Sequence, residues 1–147
     1  MTKVSEIMTK SDIQFVNPST RVRVAAEDMK RLHRGCLVVI NKGKLVGIVT
    51  ERDLVQKILA TGKDPMNTLV SKIMSRPVIS VSPEMSLSNA AKLMVANKIR
   101  RLPVVEGSKV VGMLTVSDFA KYMRLRDRDE PLWAAASRAA DYQTIFE

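Results

Sequence analysis

Two octapeptides constrain what this chain can fold into. Gly47-Ile48-Val49-Thr50-Glu51-Arg52-Asp53-Leu54 and Gly112-Met113-Leu114-Thr115-Val116-Ser117-Asp118-Phe119 share one pattern: glycine, two apolar residues, Thr, two variable residues, Asp and a large apolar residue. The offset from Gly47 to Gly112, 65 residues, also carries Val16 to Val81, Pro18 to Pro83, Ala25-Ala26 to Ala90-Ala91, Met29 to Met94, Leu37 to Leu102 and Val39 to Val104 without a gap. Ile7-Met8 matches Ile73-Met74 at an offset of 66, so one residue is lost or gained just after that point. The chain is a duplication. Its period is too long for a solenoid and its two copies are too few for an array, which leaves two equivalent units sharing a core as the economical solution.

Hydrophobic periodicity gives the content of each copy. Residues 4–8 form a lead-in turn, and residues 13–16 a short strand. Val22, Ala25, Ala26, Met29 and Leu32 recur at three and four and predict an amphipathic helix, with Gly35 as its stop. Residues 36–40 and 45–49 are apolar runs about Asn41-Lys42-Gly43-Lys44, a hairpin. Thr50 then caps a helix to about residue 60, with Leu54, Val55, Ile58 and Leu59 on its apolar face. The second copy repeats this order: lead-in 69–74, strand 77–81, a helix capped by Ser86, a hairpin (102–105 and 109–114) about Glu106-Gly107-Ser108, and a helix from Thr115. The expected fold is α+β, two β-α-β-β-α repeats packed pseudo-symmetrically through their sheets. The first repeat spans 1–62 with its lead-in and the second 63–123. A tail follows over 124–147, where Pro131, Leu132, Trp133, Ala136 and Ala140 point to a further helix.

Composition narrows the function. With 147 residues the chain is long enough to bury a core without metal or disulfide staples, and its single cysteine, Cys36, has no internal partner. Cys36 opens a buried strand and reads as a core thiol. No apolar run approaches the ~18 residues of a membrane span, and the first residues lack the apolar core of a signal peptide, so the cytoplasm is expected. The net charge of +9 favours anionic partners, but three Phe, two Tyr and one Trp leave few platforms for base stacking. A nucleic-acid-binding protein using the basic surface is therefore the alternative reading. The sequence holds no phosphate-cradling Gly-x-x-x-x-Gly-Lys-[Ser/Thr] loop, no His-Glu-x-x-His and no Cys/His cluster, so an enzyme is not expected. His33, the sole histidine, sits among Lys30, Arg31 and Arg34 and reads as a helix-end surface residue.

The repeated Gly-apolar-apolar-Thr-x-x-Asp-apolar motif, the Ser-x-Ile-Met lead-ins (Ser5 to Met8, Ser71 to Met74) and Arg101-Leu102-Pro103-Val104-Val105 resemble the cystathionine-β-synthase (CBS) domain pair, or Bateman module, over about residues 4–123. Thr50/Asp53 and Thr115/Asp118 have the spacing of a capping box, which needs no ligand. The same carboxylates can accept from both hydroxyls of a ribose, and the resemblance assigns them that role. It implies a non-catalytic regulatory module that senses AMP, ADP, ATP or S-adenosylmethionine in clefts between the repeats and requires no cofactor. It also implies a homodimer and an unidentified regulated protein. The purine is expected against Val78, Ile79, Arg101, Leu102 and Pro103 in the second copy, and against Ile13, Gln14, Cys36, Leu37 and Val38 in the first. Arg52, Arg100 and Arg101 are the candidates for phosphate. The copies are unequal: Ser117 stands where the first has Arg52, Cys36 where the second has Arg101, and Val38 where the second has Pro103. The better-occupied cleft is expected at Asp118, with Arg52 reaching it from the other copy.

Overall fold

Each copy is built on a hairpin whose turn residues set its register. A computed structural model describes residues 1–10 and 13–126. Strand β1 (Phe15–Val16) precedes β2 (Cys36–Asn41) and β3 (Lys44–Thr50), and the second hairpin joins β4 (Arg101–Glu106) to β5 (Lys109–Thr115). Lys42 and Gly43 have φ of 51° and 80°, the two positive values a type I′ turn requires. In the other hairpin Gly107, at φ 65°, supplies the single positive value of a type II′ turn. The duplication persists to the level of register: the ladder shifts between Val39 and Ile40 in one hairpin and between Val104 and Val105 in the other.

The contacts divide the chain into Asp12–Ile79 and, as the other unit, Met1–Ser11 with Ser80–Glu147. Repeats of sequence and units of structure thus cut the chain differently, because each lead-in packs in the unit that holds the other copy's hairpin. In the Asp12–Ile79 unit the lead-in is a 3-10 turn, Val70–Lys72, where Val70 N–H donates to Thr20 O (2.8 Å), and Ser75 pairs with Ile48. In the other unit it is the short helix α1 (Val4–Ile7), where Ser5 N–H donates to Pro83 O (3.0 Å), and Thr9 pairs with Met113.

Helix α2 (Val22–Leu32) buries Val22, Ala25 and Met29, as its period requires, and α4 (Leu87–Asn97) buries Leu87, Ala90 and Met94. Both end on a left-handed residue that is not glycine. His33 (φ 53°), rather than Gly35, stops α2, and Arg34 N–H closes the helix on Met29 O (2.9 Å); Lys98 and Ile99 do the same for α4. Val16, Val22, Met29, Leu37, Val39, Val49 and Ile73 are among the buried members of the core of the Asp12–Ile79 unit. Among the described residues, no helix is long and apolar enough to cross a membrane. The tail expected over 124–147 lies, beyond residue 126, outside the described residues.

Two expectations are corrected. Residues 77–81 form no strand. Val81 makes only an isolated bridge to Val104, whereas β1 is a parallel strand on β2, held in part by Val38 N–H donating to Gln14 O (3.0 Å). The residue matching Val38 is Pro103, which has no N–H to give. The helix after Thr50 is also not evenly amphipathic. It begins as α3 (Glu51–Asp53) and continues as a π-helix, Leu54–Leu59, with Ala60 N–H reaching back five residues to Val55 O (2.8 Å). Ile58 is buried, but Val55 and Leu59 are exposed.

Candidate functional site

The end of each hairpin delivers a Thr directly into a helix start. Thr50 lies opposite Cys36 and Thr115 opposite Arg101 in the ladders. Glu51 N–H donates to Gly35 O (3.0 Å) and Val116 N–H to Arg100 O (3.1 Å), so the start of one strand is tied to the first turn that follows its partner. Helix α5 (Val116–Arg126) carries Asp118 in its first turn, as α3 carries Asp53.

Both turns are reciprocal capping boxes. Asp53 Oδ2 accepts from Thr50 N–H (2.9 Å) and from the Thr50 hydroxyl (3.1 Å), while Thr50 Oγ1 accepts from Asp53 N–H (3.3 Å). Asp118 Oδ2 accepts from Thr115 N–H (2.8 Å) and hydroxyl (3.0 Å), and Thr115 Oγ1 accepts from Asp118 N–H (3.2 Å). Each Asp is only 7% exposed, so these bonds compensate burial of a charge. Thr50→Ala removes two of the three bonds; it is expected to cost about 1 kcal/mol of stability, measured as a shift in urea midpoint.

The cap uses only one carboxylate oxygen. On Asp53 the other, Oδ1, meets Lys57 Nζ at 2.9 Å, and Lys57 Nζ also donates to Ile73 O (2.8 Å). On Asp118 it accepts from the Thr9 hydroxyl (3.1 Å). Neither Lys57 nor Thr9 was expected at the site. Lys57 was legible as an i,i+4 partner of Asp53. Thr9 carries no local signal, because its partner lies 109 residues away.

Within the second unit the fold thus gathers Arg100, Arg101, Leu102 and Pro103 beside Thr115 and Asp118. Within the Asp12–Ile79 unit it gathers Cys36 and Leu37 beside Thr50 and Asp53. Gln14 and Ile13 are half-buried, Gln14 holding β2 through its carbonyl. Val78 and Ile79 are half-buried and close the Asp12–Ile79 unit. Arg52 and Arg100 are exposed and Arg101 is partly so, while Leu37 and Leu102 are buried core residues. His33 is exposed at the end of α2. Among the described residues no group of three or more His, Cys, Asp or Glu could hold a metal ion.

Comparison with known proteins agrees with this architecture. The CBS domain family model matches residues 4–60 and 70–125. The CBS domain-containing protein YhcV of Bacillus subtilis is 37% identical over 120 residues, covering 82% of this chain and 84% of the relative. Among solved structures, the hexameric CBS-CP12 protein of bloom-forming cyanobacteria is similar with a TM-score of 0.77 at 31% identity, covering 95% of this chain and 82% of that one. The CBS domain pair of protein MJ0100, crystallised in complex with 5′-methylthioadenosine and S-adenosyl-L-methionine, has a TM-score of 0.76 at 28% identity, covering 85% of this chain and 98% of that one. The chain belongs to the CBS domain family, as a tandem pair of the regulatory, ligand-sensing and non-catalytic kind.

Proposed function

We propose that the chain senses an adenosine-containing ligand, AMP, ADP, ATP or S-adenosylmethionine, with a capping Asp, Asp118 foremost, accepting from the ribose hydroxyls. The observation that carries this reading is the carboxylate oxygen each cap leaves over. A cap needs one oxygen, and in each copy the second takes its bond from outside the capping box, from the Thr9 hydroxyl at Asp118 and from the Lys57 ammonium at Asp53. The similarity to MJ0100 supports it, since the two ligands in that complex share an adenosine group. Arg100 and Arg101, beside Thr115, supply cations for a phosphate chain. A homodimer belongs to the same reading, supported by Val55 and Leu59, which are 54% and 78% exposed on one helix. Sedimentation of a monomer at working concentration would count against it.

The test is thermal unfolding against AMP, ADP, ATP, S-adenosylmethionine and a short nucleic acid. A ligand at a hundred times its Kd adds about 2.7 kcal/mol, which raises the Tm of a chain this size by on the order of 5 °C or more. The expected result is a rise with an adenosine compound that is absent in Asp118→Ala, judged against that variant's own ligand-free Tm. A rise with nucleic acid alone, lost at high salt, would replace this reading with the basic-surface one.

A further inference from the structure

The two caps are alike in their bonds to Oδ2 and differ in what holds Oδ1. At Asp53 it is an ammonium, fixed from a second side by the Ile73 carbonyl. At Asp118 it is the neutral Thr9 hydroxyl. The position that matches Lys57 in the second copy is Tyr122, whose hydroxyl pairs with Thr2 Oγ1 (2.8 Å), so that helix position brings no cation to Asp118. The position that matches Thr9 is Ser75, which is exposed.

We infer that Lys57 is the residue that decides occupancy: it closes the Asp53 cap, so that an adenosine-type ligand binds at Asp118 alone. The inference rests on the reading above that these carboxylates take ribose hydroxyls. A charge-assisted bond is roughly twice as strong as a neutral one, and because Oδ2 already holds two donors, a diol that places both hydroxyls on Oδ1 of Asp53 must displace it from a carboxylate that is almost fully buried. It would leave the ammonium with the Ile73 carbonyl and solvent in place of a carboxylate. The Thr9 hydroxyl resists much less. It can turn to a new acceptor, or accept a bond from the incoming hydroxyl while the carboxylate takes another. The unequal chemistry of the two copies thus has a definite consequence, one ligand per chain.

Calorimetric titration with ATP and with S-adenosylmethionine tests this on four proteins: wild type, Lys57→Met, Asp118→Ala and the double variant. Wild type is expected to bind one equivalent, lost in Asp118→Ala. Lys57→Met is expected to bind two, the new site gaining about tenfold or more in affinity, and the double variant to keep one. Two equivalents in wild type, or one in Lys57→Met, overturns the inference. So does weaker binding in Lys57→Met, which would make the lysine a ligand contact.

Reductive methylation of lysines, read by mass spectrometry without ligand, separates the inference from the reading beneath it. Lys57 is expected to react more slowly than the exposed lysines in wild type and as fast as they do in Asp53→Asn. Binding at Asp118 with Lys57 unprotected sinks the inference alone. A protected Lys57 with no binding to wild type or Lys57→Met sinks the ribose reading, and the role in occupancy with it.

Discussion

Leu102→Ala is expected to lower the free energy of unfolding by roughly 2–5 kcal/mol. Leu102 is wholly buried and lies opposite Leu114, also wholly buried, in the β4–β5 ladder. Its counterpart Leu37 belongs to the core of the Asp12–Ile79 unit, in the same cluster as Val39 and Val49. The removed carbons lose their transfer free energy, and a strand held on both sides by its ladder and by α4 has little freedom to collapse into the space. Since domains are stable by only about 5–15 kcal/mol, a lower Tm, on the order of 10 °C, and a lower urea midpoint should both be plain. The measurement also separates two roles. A side chain that mattered chiefly as a wall for a purine would leave the midpoint nearly unchanged and weaken ligand binding, and that outcome would contradict the burial.

The duplication made the fold readable, and the places where reading failed are places where the copies differ or where a distant residue decides. Both hairpins, both Thr caps and the buried faces of α2 and α4 follow from local pattern and are found. The strand expected at 77–81 fails because of Pro103, whose missing N–H lies more than twenty residues downstream; the apolar residues of 77–81 themselves look adequate. Val55 and Leu59 were placed on a buried face by a period of 3.6, and the π-helical winding of Leu54–Leu59 changes that period. His33 overrides Gly35 because a helix can stop on a left-handed residue with a side chain when the Schellman bonds are made, and nothing in Arg31 to Gly35 shows which residue will take the turn. At the site, the Thr-x-x-Asp geometry was legible in full, since capping is local. The partners of the second carboxylate oxygen were not, Thr9 least of all, and these are what make the two caps unequal.

Gly112→Ala is expected to cost about 1–3 kcal/mol, although alanine is the better strand residue of the two. Gly112 lies in β5 and is absent from the residues of positive φ, so its backbone accepts any side chain. What excludes one is the lead-in. A Cβ there would stand 2.5 Å from Met8 Sδ, 3.0 Å from Met8 Cγ and 3.2 Å from Thr9 O. Met74 lies against Gly47 in the same way, which explains why the methionine of Ser-x-Ile-Met and the glycine of the repeated motif occur together. The thioether can move, but the Thr9 carbonyl accepts from Met113 N–H (2.9 Å) and cannot yield without loosening that bridge. Two results are therefore expected. Met8→Ala should recover part of the loss in the double variant, a coupling between neighbours that separate sites do not show. The part it does not recover should come with weaker ligand binding at Asp118, because a displaced Thr9 carries away the hydroxyl that can accept a bond from the ligand. Full recovery of both stability and binding in the double variant would mean that Met8 alone carries the clash. Thr9 would then be a bystander at the site, and the coupling of the lead-in to the carboxylate would fall.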